Sequence, residues 1–245
     1  MRILIHGACG KMGRALRALA GRQPDVEIAG LVDACAAEDG VLTSLDAFSG
    51  DFDLLVDFSH HSATEALCAF AEARRKPLVI ATTGQTDREA ARIARAAEAV
   101  PVFCSGNMSL GIALLVHLAQ ETAKCFPDAD IEIVEQHHNQ KLDVPSGTAL
   151  MLGRAIQEVR PEATLLTGRH ENGRRTKEEI GIHALRLGST VGIHAVIVHT
   201  GTQVLTLKHE ALDRSLFAEG ALAAARFLLG RAPGLYNMNH IVSEG

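Results

Sequence analysis

The segment EQHHNQKLDVPSGTAL, residues 135–150, gathers two adjacent histidines, a lysine, an aspartate and a Pro-Ser-Gly-Thr turn. Imidazole, with an ordinary pKa of about 6.5, suits proton transfer near neutral pH. Successive side chains on a strand point to opposite faces, so one of His137 and His138 can face a cleft while the other anchors. Lys141 follows four residues after His137. Val144 precedes Pro145 and is held extended, so a helix must start after it, with Ser146 the candidate N-cap. The Gly147 and Thr148 N–H groups are then free at a helix N-terminus, beside the Ser146 and Thr148 hydroxyls. Such a terminus binds a carboxylate or phosphate, and Lys141 supplies the matching charge. Asp143 orients the turn. Two blander readings compete. Paired histidines can ligate a metal, but no third ligand stands at a suitable spacing. A solvated polar loop would have the same composition. No GxSxG nucleophile elbow is present, and Cys104 and Cys125 lack a thiol-nucleophile motif.

These residues must be carried by elements, and the first hundred residues predict a parallel sheet. Met1–His6 is a short apolar strand running into GACGKMG, with Gly7, Gly10 and Gly13. A helix follows over about 11–22, then a strand, VEIAGLVDA, through Asp33. Strand, glycine turn, helix, strand and an acid about twenty residues on is the setting of a dinucleotide site. Gly7 permits the turn, Gly10 lets the backbone approach a pyrophosphate, and Gly13 lets the helix pack on the strand. The spacing is GxxGxxG, less specific than GxGxxG. FDLLVDFS, PLVIATTG and VPVFCSGNMS are further strands, separated by helices over 62–75 and 87–99. Ligands on such sheets lie at the carboxyl ends of the strands. Ser59, Thr82–Gly84 and Ser105–Met108 are therefore expected beside the glycine loop. Asp33 is the natural acceptor for a ribose 2′-hydroxyl, which leans toward NADH. Lys11 and Arg14 could still neutralise a 2′-phosphate, so NADPH stays open.

In the second half the pattern changes. A helix is expected over 109–126, an alternating strand over 129–138, a helix over 146–159 and a charged loop over 167–179. Strands between 180 and 211 follow, the last two as a hairpin. A closing helix, 214–229, is expected to pack back on the first domain, followed by PGLYNM. The fold class is therefore α/β: a Rossmann-type parallel-sheet domain, residues 1–107 plus 215–245, and an α+β domain with a mixed open sheet, residues 108–214.

Composition bounds the function. The 245 residues are 47% apolar and 22% charged, enough for sizeable cores, with a net charge of -5 that disfavours a nucleic-acid surface. No Trp and one Tyr leave little for base stacking. No run approaches a membrane span and the N-terminus reads as a strand, not a signal peptide. Five scattered cysteines, Cys9, Cys35, Cys68, Cys104 and Cys125, fit reduced thiols in the cytoplasm.

EQHHNQKLDVPSGTAL closely resembles the E-x-H-H-x-x-K-x-D-x-P-S-G-T-A signature of the dihydrodipicolinate reductase (4-hydroxy-tetrahydrodipicolinate reductase) family. GACGKMGR, VDFS, ATTG, SGNMSLG, EIGIHALRLG and LDRSLFAEGALAAARFL resemble family segments in family order, over nearly the whole chain. The resemblance implies NAD(P)H-dependent reduction in lysine and diaminopimelate biosynthesis, with His137 the catalytic histidine and Lys141 the proton-donating lysine. It implies that His138, Ser146, Gly147, Thr148 and Arg214 contact the substrate. It also implies cofactor contacts at Gly7, Ala8, Cys9, Gly10, Lys11, Met12, Asp33, Ala81, Thr82, Thr83, Ser105, Gly106, Asn107 and Met108. A homotetramer joined through the second domain's sheet, and use of NADH, NADPH or both, are implied as well. No metal is implied. The chain departs from the family at Gly192-Ile193-His194, where G-E-H is usual, at Tyr236-Asn237-Met238-Asn239-His240, where Y-D-M is usual, and in having no arginine after Asp33.

The expected reaction places a cyclic dicarboxylate between the domains, with closure over it and a proton from Lys141 or His137. The rivals are another NAD(P)-dependent oxidoreductase acting on a different acid, and a nucleotide-binding sensor without turnover.

Overall fold

The computed structural model describes residues 1–36 and 38–244. The chain divides into two compact units, Met1–Leu110 with Arg214–Gly245, and Gly111–Asp213.

The first unit is a doubly wound sheet. Strands β1 (Arg2–His6), β2 (Glu27–Val32), β3 (Leu54–Asp57), β4 (Leu78–Ile80) and β5 (Pro101–Cys104) alternate with helices α1 (Lys11–Ala20), α2 (Thr64–Arg74) and α3 (Asp87–Ala96). A sixth strand, β11 (Gly234–Tyr236), joins from the chain's end, giving the all-parallel order β11-β5-β4-β3-β1-β2. The order reverses between β2 and β3 on either side of β1, so the glycine loop after β1 sits at the switch point where such sheets bind ligands. Continuous apolar runs make the central strands, because helices cover both faces; Leu4, Leu55, Leu78 and Val102 are fully buried. The predicted strands ran on into ATTG and SGNM. The observed strands stop earlier, and those residues form the loops at the strand ends.

The closing helix α6 (Ser215–Leu228) packs on α1, and Arg226 pairs with Asp25 at 2.9 Å. Phe227 meets Phe103 and Tyr236 edge-on, which fixes α6 and β11 against β5. Neither β11 nor α7 (Met238–Glu244) was foreseen from PGLYNM. β11 is three residues long, and its extended form comes from pairing with Pro101–Phe103.

In the second unit, β6 (Asp130–His137) is the centre of a five-stranded sheet, β10-β9-β6-β8-β7. β8 (Glu179–Arg186) runs parallel to it, and β9 (Gly192–His199) antiparallel. β9 and β10 (Val204–Ala211) form the foreseen hairpin. β7 (Thr164–Thr167) was not foreseen; it is a four-residue edge strand parallel to β8. The mixed character follows from α5 (Gly147–Val159), a crossover between β6 and β7. α4 (Leu110–Cys125) and α5 contribute Ile112, Leu115, Leu152 and Ile156 to one core with Ile131, Ile133, Ile180, Ile182, Val196 and Val198. Val134, Ile193, Ala195 and Ile197 alternate onto the opposite face and are only half-buried. Among the described residues no helix is long and apolar enough to cross a membrane.

Phe52 anchors one wall of the first unit. It is fully buried, stacked on Phe70 and edge-on to Phe48, both at 5.8 Å, with the Arg74 guanidinium 5.2 Å from its ring. Phe52→Ala should therefore lower the unfolding free energy by about 3–5 kcal/mol, read from denaturant midpoints.

Candidate active site

Alternation along β6 buries Ile131, Ile133, Glu135 and His137 on the helix-covered face and turns Val134, Gln136 and His138 to the other. His137 and His138 thus part as predicted. The apolar pair Ile131 and Ile133 holds the strand in place, and its last two inward positions are a carboxylate and an imidazole.

Glu135 is fully buried, and three donors converge on it. Arg186, which stands opposite His137 on β8, grips Glu135 with Nη1 to Oε2 and Nη2 to Oε1, both 2.8 Å. The Ser146 backbone N–H donates to Oε1 at 3.0 Å. His137 Nδ1 lies 2.6 Å from Oε2 and, against a carboxylate, must be the protonated nitrogen. Burial opposes ionisation of Glu135, but Arg186, His137 and the Ser146 N–H outweigh it and hold the carboxyl below its ordinary value. Burial pushes His137 down; Glu135 opposes this, and Lys141 and Arg186 add to it. His137 is therefore a neutral imidazole with its N–H committed to Glu135 and its Nε2 lone pair free of that bond.

The turn after β6 is pinned from the β8–β9 loop: Leu187 N–H donates to the His137 carbonyl and Asn139 N–H to that of Gly188. It carries Lys141, which is half-buried and pairs with Asp143 at 2.8 Å. The Asp143 carboxyl is lowered chiefly by that lysine. So Asp143 holds the lysine as well as shaping the turn. The Val144–Pro145 bond is cis. Ser146 is the N-cap of α5, its Oγ accepting from Ala149 N–H at 3.2 Å. Its hydroxyl also meets His194 Nε2 at 3.1 Å, so it points inward and is occupied there. Gly147 is exposed, and a Cβ on it would meet nothing within 4 Å. No acidic residue stands in the first turn of α5. Gly147 and Thr148 form the first turn of α5, at the positive end of its dipole. Arg214 belongs to the first unit, exposed at the N-cap of α6.

In the first unit the glycine loop fits a dinucleotide. Gly7 has φ +77, and a Cβ there would lie 2.5 Å from the Phe58 carbonyl oxygen. A Cβ on Gly13 would lie 2.1 Å from the Gly7 oxygen. Gly10 caps α1 with no side chain, and no acid stands in the first turn, so the N–H groups of Lys11 and Met12 face outward to an anion. Asp33 accepts from Cys9 N–H at 2.8 Å and Cys35 N–H at 2.9 Å, which fixes its carboxylate beside the loop. Ala81, Thr82 and Thr83 follow β4. The Thr82 hydroxyl turns inward to Asp57 at 2.6 Å. Ser105, Gly106, Asn107 and Met108 follow β5, held by Ser105 Oγ to Asn107 O and Ser109 N–H to Asn107 Oδ1. Among the described residues no group of three His, Cys, Asp or Glu is placed to hold a metal.

Comparison with known proteins decides the family. Residues 1–108 match "Dihydrodipicolinate reductase, N-terminus" and residues 111–242 match "Dihydrodipicolinate reductase, C-terminus". The chain belongs to the dihydrodipicolinate reductase family. A 4-hydroxy-tetrahydrodipicolinate reductase of Caldanaerobacter subterraneus subsp. tengcongensis is 43% identical over 100% of this chain and 99% of its own. One from Clostridium tetani is 39% identical over 100% and 98%. A dipicolinate-bound dihydrodipicolinate reductase from Paenisporosarcina sp. TG-14 shares the fold, with a TM-score of 0.82 at 24% identity over 98% of this chain and 99% of that one.

Sequence reasoning assigned this dihydrodipicolinate reductase family member an acid–base pair but passed over Glu135, Arg186 and His194. Glu135 had a signal: it stands two residues before His137 on a strand, hence on the same face. Arg186 and His194 had none locally, lying 51 and 48 residues from their partners. The same holds in the first unit for His6, whose Nδ1 meets the fully buried Asp57 at 2.8 Å.

His194 makes the site pH-sensitive. It is buried, stands edge-on to His137 at 5.2 Å, and is pushed down to about 4 by burial, with His137 adding to the effect. Such a group is neutral when folded and takes up a proton on unfolding below about 6.5, so stability falls as pH drops from about 6.5 to about 4 and levels off below. His194→Gln should remove up to roughly 3 kcal/mol of that loss. Denaturation midpoints of both proteins across this window test it, and equal slopes would contradict it.

Proposed function

We propose that this chain reduces 4-hydroxy-tetrahydrodipicolinate to tetrahydrodipicolinate, in lysine and diaminopimelate biosynthesis. NADH or NADPH, when bound, supplies the hydride, as in the reductase family to which the chain belongs. The glycine loop from Gly7 to Met12 holds the pyrophosphate, Asp33 the adenosine ribose, and the loops at 81–83 and 105–108 line the nicotinamide end. The observation that carries the reading of the second unit is the clamp of Glu135 on His137, placed beside Lys141 and the N-terminus of α5.

One substrate carboxylate lies against the Gly147 and Thr148 N–H groups, with Lys141 and His138 adding charge and hydrogen bonds. Arg214 joins the substrate contacts. Ser146 acts from beneath, as cap and ligand of His194. The net reaction adds one hydride and one proton and releases the 4-hydroxyl as water. Neutral His137 has a single N–H, and Glu135 holds it, so His137 offers substrate a lone pair and not a proton. The Lys141 ammonium therefore donates the proton to the carbon or enamine left by hydride addition, and His137 Nε2 accepts a hydrogen bond from a substrate N–H or O–H and so orients the ring. The protein's part is position and electrostatics.

Four copies assemble through the open sheet face carrying Val134, Ile193, Ala195 and Ile197, whose apolar side chains the monomer leaves half-covered. The cytoplasm suits the enzyme: the five cysteines are free, and reduced cofactor is available there.

Oxidation of NADH coupled to freshly generated substrate tests the reaction; a wild-type protein silent with both cofactors would refute it. Lys141→Ala and His137→Ala should each lower kcat about 10²–10⁴-fold with cofactor affinity nearly intact. Added small primary amines should restore turnover to Lys141→Ala and not to His137→Ala. The reverse pattern would exchange the two roles.

A further inference from the structure

Asp33 does not face the adenosine end of the glycine loop alone. One cavity is lined by Cys9, Gly10, Arg14, Asp33, Cys35 and Glu38. Glu38 comes from the segment after β2 and reaches back over the start of α1. One carboxylate oxygen meets Arg14 Nη2, and the other accepts from Arg17 Nη1 at 2.9 Å. Arg14 is further fixed by its Nε, which donates to the Cys9 carbonyl at 2.8 Å. Two guanidiniums on successive turns of one helix face thus share one carboxylate. The Glu38 carboxyl is held below its ordinary range, chiefly by Arg17.

Arg14 and Arg17 are what a 2′-phosphate would need, since guanidinium forks match phosphate oxygens. Glu38 already fills that role. The cavity lining holds two carboxylates, Asp33 and Glu38, against Arg14, while Arg17 is engaged by Glu38 from outside it, so the lining carries no surplus positive charge. A ribose 2′-hydroxyl needs only an acceptor, which Asp33 provides. A 2′-phosphate would face two carboxylates and arginines already engaged.

Resting on the cofactor placement proposed above, we propose that Glu38 is a specificity-determining residue: it acts as a built-in counter-anion on Arg14 and Arg17 and so disfavours the 2′-phosphate of NADPH. The device is separate from Asp33, which selects the hydroxyl by hydrogen bonding. Glu38 selects against the phosphate by charge and by occupying its cations. The choice between the cofactors is then set by Asp33, directly after β2, and also by residues from α1 and from the segment further on.

Equilibrium binding tests it without turnover. Dissociation constants for NADH and NADPH, and for the fragment adenosine 2′,5′-bisphosphate, are measured by calorimetry on the full chain for wild type, Glu38→Gln and Asp33→Ala. Glu38→Gln should lower the NADPH-to-NADH ratio of dissociation constants about tenfold and tighten the bisphosphate fragment similarly. The gain should shrink with added salt, and adding Arg17→Met should abolish it. An unchanged ratio in Glu38→Gln, with Asp33→Ala still weakening NADH, would overturn the role of Glu38 alone. If Asp33→Ala leaves NADH binding untouched, the cofactor placement fails and the inference fails with it.

Discussion

The second unit depends on a buried anion. Glu135 has no exposed surface, and a lone carboxylate there would be neutralised or expelled. It persists as a charge because Arg186, His137 and the Ser146 N–H converge on it. Each donor comes from a different place: β8, the next inward position of β6, and the N-cap of α5. Arg186 extends the reach by donating from Nη2 to the Asp143 carbonyl at 2.7 Å. One carboxylate therefore fixes the parallel register of β6 and β8, the entry of α5 and the tautomer of His137. Removing either side of such a pair leaves an uncompensated buried charge, which costs far more than the intact pair contributes. Its value is positional: it ties the ring of His137 to the end of α5 where the proposed reaction places a substrate carboxylate.

The first unit is built on the same device. Asp57, also without exposure, ends β3 and accepts from His6 at the end of β1, from Ser59 just beyond its own strand and from Thr82 after β4. Strand ends are where a parallel sheet has backbone groups and loops to organise, and the central strands leave no water to do it. A buried acid with several donors converts three separate βα turns into one surface. Both units thus place a satisfied carboxylate under the loops proposed to carry their ligands, where partial satisfaction would be worse than an apolar core.

This pattern explains what the sequence could and could not reveal. The glycine loop, Asp33, the parting of His137 from His138 and the Ser146 cap are local: each follows from spacing within a turn or strand, and each is found where expected. The hairpin at 192–211 is legible for the same reason. The carboxylate partners are not local. Arg186 meets Glu135, and His6 meets Asp57, across 51 residues, through strand orders that no short window encodes. β7 and β11 were hidden because strands of four and three residues take their form from the neighbour they join. Ser146 shows the limit most sharply. Its type and position fit an N-cap, yet only the approach of β9 reveals that His194 claims the same hydroxyl.

The two basic groups of the proposed chemistry are held with opposite firmness, and the reaction needs that difference. His137 is buried against a carboxylate that no incoming group can replace, so its orientation is permanent. Lys141 pairs with Asp143, whose side chain is 57% exposed, and exposed pairs contribute little. A substrate carboxylate arriving at the α5 N-terminus can draw the ammonium away from Asp143 at small cost, because one anion replaces another. In the proposed reaction the lysine would then reach the substrate through its charge and give up its proton there, while Asp143 is left to solvent and not stranded in the core. After product leaves, the amine would take a proton from solvent, and Asp143 would pair again with the ammonium so formed. A lysine clamped as firmly as His137 would be well placed for one geometry but unable to follow the acceptor atom. A histidine held as loosely as Lys141 would lose the single tautomer on which its hydrogen bond to substrate depends.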